Sequence, residues 1–182
     1  MAYTLQSHYV NFVLFMVIII AIIEKYSVNT NQERDVMDDN RKRVAIHLST
    51  IIDDNGQMEY NTMQHIGALH EAGHADILTY GEEVNGEEVR NLVTIQEDKV
   101  TIKRSGAVMM HQKFLKEKRT ENIFKHPHGS VHMETTTYKL HYDKQEHPIS
   151  GKVFIAYAVK LNGQEERKHE LTLTYKEEEP IE

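Results

Sequence analysis

The chain has no cysteine among its 182 residues. That excludes a disulfide scaffold and any zinc site built on thiolates. It fits a reducing compartment, and a cytoplasmic location is expected. Proline is nearly absent: Pro127, Pro148 and Pro180 are the only three, and none falls inside a run that reads as a strand. Basic charge is also short. Lys and Arg number 21 against 28 Asp and Glu, a net charge of −7. A surface of that sign does not bind nucleic acid non-specifically, so no nucleic-acid partner is expected. Nothing matches the phosphate loop G-x-x-x-x-G-K-[ST], the dinucleotide fingerprint G-x-G-x-x-G or the nucleophile elbow G-x-S-x-G. No cofactor is expected, and Ser105 has no sequence-visible partner that would make it a nucleophile. Internal repeats and low-complexity linkers are missing too. With 40% apolar and 27% charged residues, the chain is neither disordered nor a polytopic membrane protein.

One long apolar run exists, Tyr9 to Ile23 (YVNFVLFMVIIIAII). As a helix it would reach roughly 22 Å, short of the ~30 Å hydrocarbon core of a bilayer. It is a marginal membrane helix. No Lys or Arg precedes it and no small-x-small site follows, which argues against a signal peptide. If it spans, Lys25, Arg34, Arg41, Lys42 and Arg43 on its C-terminal side keep the remainder of the chain in the cytoplasm. Membrane contact is expected through residues 9–23 alone. Met37 opens a polar stretch just before the first strand-like run, so residues 1–36 can equally be an over-extended gene start. The division is therefore 1–36, an apolar N-terminal segment, and 37–182, the folded domain.

From residue 43 onward the periodicity is that of strands. Val44, Ile46, Leu48 and Thr50 alternate with Ala45, His47 and Ser49. DDNG at 53–56 and Asn85-Gly86 are turn signals, because Asn and Gly tolerate positive φ. EEVRNLVTIQ and VTIKRSG alternate, and VHMETTTYKLHY at 131–142 is rich in Thr and Tyr. The clearest hairpin comes last. Val153, Ile155, Tyr157, Val159 and Leu161 form one face, Asn162-Gly163 reverses the chain, and Leu171, Leu173 and Tyr175 return. The count is roughly eight to ten strands with meander spacing. The expected fold is all-β, an antiparallel meander closed into a barrel, because closure removes the edges that a long meander would expose. A two-sheet sandwich is the alternative.

His70 to His74 reads HEAGH, the H-E-x-x-H pattern of zinc hydrolases. On a helix, His70 and His74 would share one face and bind zinc, with Glu71 as general base. Ile66, Leu69, Gly73, Ile77 and Tyr80 do fall at helical spacing. Against this, a chain this rich in His and Glu matches the pattern by chance roughly 0.1 times. Gly67 and Gly73 would each cost a helix about 1 kcal/mol relative to Ala. HIGAL, a turn at HEAG, and ADILTY make an equally good hairpin. No second motif supplies a third ligand, although His126, His128 or His132 could be recruited. The sequence favours a solvated His-rich turn, so no metal is expected, with His70, His74 and Glu71 the residues of the alternative.

Lys99 to Phe114, KVTIKRSGAVMMHQKF, resembles the YwiB-like family of small bacterial proteins, a domain of unknown function. The likeness rests on Arg104, Ser105, Gly106, Ala107, Val108, Met110 and Phe114. FIAYAVKLNGQEERKHELTLTY resembles the family's final hairpin, and 44–60 with its acidic turn before Gly56 fits more weakly. Together these cover about residues 40–176 and leave 1–36 outside. The resemblance implies a calycin-like, lipocalin-type closed barrel, no established enzymatic activity, and a strand-turn-strand setting for HEAGHA.

Arg104 continues the alternating face of Val100 and Ile102. If that face points inward, its guanidinium needs a carboxylate partner or an anionic ligand. Gly106 suits a bulge or sharp bend. The expected function is a non-enzymatic barrel holding a small amphipathic or anionic ligand, with Arg104, Ser105, Tyr157 and Tyr175 as candidate contacts. Val153, Ile155, Val159, Leu171 and Leu173 would form its wall or, equally, a packed core. The other readings are the zinc hydrolase and a protein-interaction module using an acidic surface or an exposed strand. The sequence leaves the oligomeric state open.

Overall fold

The structure is a computed structural model that describes residues 41–178, apart from 85, 107–108 and 127–128. The apolar run at 9–23 and the Met37 alternative lie outside the described residues, as do the His126 and His128 side chains. No helix among the described residues is long and apolar enough to cross a membrane.

Ten strands follow one another: β1 (Arg41–Asp54), β2 (Gln57–Ala72), β3 (Ala75–Val84), β4 (Glu87–Ile95), β5 (Lys99–Gly106), β6 (Met110–Leu115), β7 (Arg119–His126), β8 (Gly129–Glu146), β9 (Ile149–Leu161) and β10 (Arg167–Glu177). They form a single antiparallel sheet in the order β6-β5-β4-β3-β2-β1-β10-β9-β8-β7. The sandwich alternative is therefore replaced by one sheet. Its first and last strands pair, with Ile46 opposite Tyr175 and Leu48 opposite Leu173. The sheet's two edges are β6 and β7, neighbours in sequence, and side chains tie them together. Thr120 Oγ1 donates to the carbonyl of Lys113 at 2.5 Å. Asn122, with its amide turned to donate, reaches the carbonyl of His111 at 3.0 Å. The result is a nearly closed barrel.

Asn-Gly pairs drive two of the reversals. Asn55 (φ 54°) and Gly56 (φ 94°) form the left-handed pair of the two-residue β1–β2 hairpin, and Asn162 (φ 48°) and Gly163 (φ 74°) open the longer β9–β10 loop in the same conformation. The alternation read from sequence sets the faces. Val44, Ile46, Leu69, Leu78, Val93, Ile95, Val100, Phe114, Ile155 and Leu173 are all essentially solvent-free, in one continuous interior cluster. Roughly 1.5–3 kcal/mol per large buried side chain makes this the main source of stability.

Two departures from regularity shape the interior. In β8 the register slips between Thr137 and Lys139. Tyr138 is the extra residue, 51% exposed, and such a bulge bends its strand. The second departure is in β2. It pairs with β1 from Gln57 to His70, but with β3 only from Gly67 to Ala72. Residues 57–66 thus carry a free edge among the described residues. There the polarity is inverted: Met58, Tyr60 and Ile66 point outward, while Glu59 and Asn61 share the inner face.

Candidate functional site

Arg104 points into the barrel. On β5 it follows Val100 and Ile102 on the inner face, opposite Asn91 of β4. Asn91 in turn faces Tyr80 of β3. Two residues beyond Tyr80 on the same face comes Glu82, and Arg104 Nη2 donates to its Oε1. The side chains of this ion pair are 13% and 4% exposed. Asn91 Nδ2 donates to the same oxygen at 2.8 Å. His65 of β2 stacks on Tyr80, ring centroids 4.7 Å apart. Burial holds the His65 imidazole below its ordinary pKa, so it is neutral near pH 7. Burial also pushes the Tyr80 phenol up, and the Glu82 charge adds to that.

This group is incompletely satisfied. Arg104 Nε and His65 Nε2 are both shielded from solvent and without hydrogen-bond partners. An orphaned buried donor costs about 1–3 kcal/mol. Met110 packs beside the group and bridges the main core to the small pair Val84–Val89. A flexible thioether there can yield to a guest.

A second polar network lies at the other end of β3, about 20 Å along the strand from Glu82. Lys144 Nζ donates to Asp76 Oδ1 (2.8 Å) and to Glu71, and Lys42 Nζ donates to Glu71 at 3.1 Å. Tyr142 donates to Asp76. Its single proton is then used, so Tyr175 is the donor of the 2.6 Å contact between the two hydroxyls. These groups are saturated by one another. They clasp the bent half of β8 to the β2–β3 hairpin. Burial and the Asp76 hydrogen bond push the Tyr142 phenol up, while the two carboxylates outweigh burial and hold the Lys144 ammonium up.

The zinc arrangement is not present. His70 ends the ladder of β2 with β1, β2 stays paired with β3 to Ala72, and Gly73 (φ 61°) and His74 form the turn into β3. The helix that would align two imidazoles is a hairpin, as the β reading of HIGAL and ADILTY expects. Glu71 is tied to Lys42 and Lys144, not poised over a metal. Among the described residues no group of three or more His, Asp or Glu could hold a metal ion.

The four candidate contacts do not converge. Ser105 is exposed on the outer face, opposite in direction to Arg104. Tyr157 is on the facing wall, edge-on to Phe114 (4.8 Å) and stacked on His169 (4.9 Å). Tyr175 belongs to the saturated network. Sequence reasoning missed Glu82, Asn91 and Tyr80. The signal was available in ADILTYGEEV, where Glu82 continues the face of Leu78 and Tyr80 as Arg104 continues that of Ile102. On the outer side, β1, β2, β8, β9 and β10 frame an open hollow of about 810 Å³ beside Ala45, Ile66 and Thr174.

His169 gives a pH prediction. Burial, helped by Arg167, pulls its imidazole down to about 4. The unfolded chain binds this proton below about 6.5; the folded chain does not until about 4. Its contribution is therefore complete above pH 6.5 and falls as pH drops toward 4, by about 3 kcal/mol. His169→Phe keeps the ring on Tyr157 and removes the proton. Urea unfolding should show a flatter stability profile between pH 4.5 and 6.5, with residual slope from His65. An unchanged profile would contradict the assignment.

A nearly closed antiparallel barrel with an apolar core and a buried Arg104–Glu82 ion pair defines the class. Residues 46–173 match the family described as a domain of unknown function (DUF1934), and the chain belongs to that family. It is 29% identical over 132 residues to the uncharacterized beta-barrel protein YwiB of Bacillus subtilis (strain 168), covering 72% of this chain and 92% of that one. The crystal structure of the Bacillus subtilis ywiB protein superposes with a TM-score of 0.68 at 26% identity, over 77% of this chain and 94% of that one.

Proposed function

We propose that the barrel is a non-enzymatic binding protein for a small amphipathic molecule whose polar or anionic head is held at Arg104. The observation that carries this is the Arg104 guanidinium: shielded, charged, and with Nε lacking an acceptor. A head-group oxygen would satisfy that donor, and a charged acceptor makes the stronger bond. Displacement of Met110 would open room for an apolar tail against Val89 and Val93. Glu82 neutralises Arg104 within the chain itself, so the site needs no bound ion to fold.

Titration with straight-chain carboxylates and alkyl phosphates of six to sixteen carbons tests this. A member that binds shifts the Arg104 Nε–H resonance and raises Tm saturably. The paired variant Glu82→Gln/Arg104→Gln, neutral at both positions, loses the Tm response. A series that moves neither the resonance nor Tm would overturn the reading.

A further inference from the structure

We infer that the protein forms a two-fold homodimer by antiparallel pairing of β2 residues 58–66 across an axis at Thr62. This inference does not rest on the ligand reading.

Four observations carry it. First, residues 57–66 hydrogen-bond to β1 on one side and have no described ladder on the other, so the outer backbone groups need a partner or water. Second, the polarity of this segment suits an interface and not a barrel wall. Met58 is 45%, Tyr60 68% and Ile66 49% exposed, and all three share the outward face. Third, the faces fix the register. Directly opposed residues of a sheet point the same way, so a symmetric pairing must place i opposite j with i + j even. Centred on Thr62, the pairing spans 58–66. Met58 then meets Ile66, Tyr60 meets Gln64, and Thr62 meets its own copy. Centring on Asn61 or Met63 breaks the Met58–Ile66 match. Fourth, on the inner face this register sets Glu59 of each chain opposite His65 of the other. His65 Nε2 lacks a partner within its own chain, and a neutral imidazole carrying its proton on Nε2 donates to that carboxylate. Two β2 strands joined in this way would run the barrels' sheets together at the one place where β2 and β3 part.

The absence of native cysteine supplies the test. In Thr62→Cys, the two introduced thiols face each other across the axis at about 4.5–5.5 Å between Cα atoms, within disulfide range. Mild oxidation of the full chain should give a covalent dimer on non-reducing gels. Tyr60→Cys, which faces Gln64, should cross-link at least tenfold less. Sedimentation of the unmodified chain should show a concentration-dependent dimer, and Met58→Glu should raise its dissociation constant at least tenfold without altering the far-UV spectrum. Equal cross-linking at 60 and 62 would overturn the register. A chain that sediments as a monomer at high concentration, with no cross-link at Thr62→Cys, would overturn the dimer.

Discussion

Arg104→Leu is expected to cost about 3–5 kcal/mol of folding stability, because it leaves the Glu82 carboxylate buried without its counter-charge. At the scale of this domain that lowers Tm by about 10 °C. Asn91 still donates to Glu82 at 2.8 Å, but one neutral amide does not replace a guanidinium. The cost belongs to the orphaned charge, not to the pair. The double variant Glu82→Leu/Arg104→Leu should therefore recover most of the loss, since exchanging a whole buried pair for apolar residues is often close to neutral. Denaturant unfolding of the three variants gives the cycle. If the double variant is as unstable as Arg104→Leu, the site is held by packing and the electrostatic account fails.

Gly151→Ala should be nearly as damaging despite adding one methyl group. Gly151 is buried on β9 opposite Tyr175 of β10. A Cβ there would stand 2.6 Å from the Tyr175 hydroxyl oxygen and closer still to its ring carbons. The ring cannot retreat freely, because its hydroxyl is bonded to Tyr142. Overpacking of this kind costs about 1–3 kcal/mol, and loss of the hydroxyl contact about 1 kcal/mol more. Calorimetry should show the drop in Tm, and Gly151→Ala/Tyr175→Leu should be less destabilised than Gly151→Ala alone. A Gly151→Ala protein with unchanged Tm would show that the ring has another place to go.

These two sites show which parts of the molecule could be read from the sequence. β1, β4, β5 and the β9–β10 hairpin were legible because apolar residues alternate there and Asn-Gly marks the reversals. The HEAGH hairpin was legible for the same reason, since Gly73 and the flanking alternation oppose a helix. The first half of β2 was not, because its outward residues are the apolar ones. A strand with inverted polarity does not announce its buried face. The turn between β8 and β9, at His147-Pro148, carries no Asn-Gly pair, and β8 runs longer than its Thr- and Tyr-rich centre suggests. Arg104 could be placed on the inner face from its spacing alone. Alternation likewise puts Glu82 on the inner face, but it does not give their contact, because Glu82 is 22 residues away and reaches Arg104 across β4 through a register that pairing alone fixes. Tyr157 and Tyr175 read correctly as inward-facing, but position around the barrel is not encoded in alternation. They lie on the far wall and in the Asp76–Lys144 network, away from Arg104.

The most direct test of the binding account is native mass spectrometry of the full chain, purified without a metal-binding tag and without added metal, then repeated under denaturing conditions. The account predicts one non-metal adduct per chain, lost on denaturation and missing from Glu82→Gln/Arg104→Gln. A bare chain mass, or a stoichiometric zinc mass retained until the chain unfolds, would contradict it.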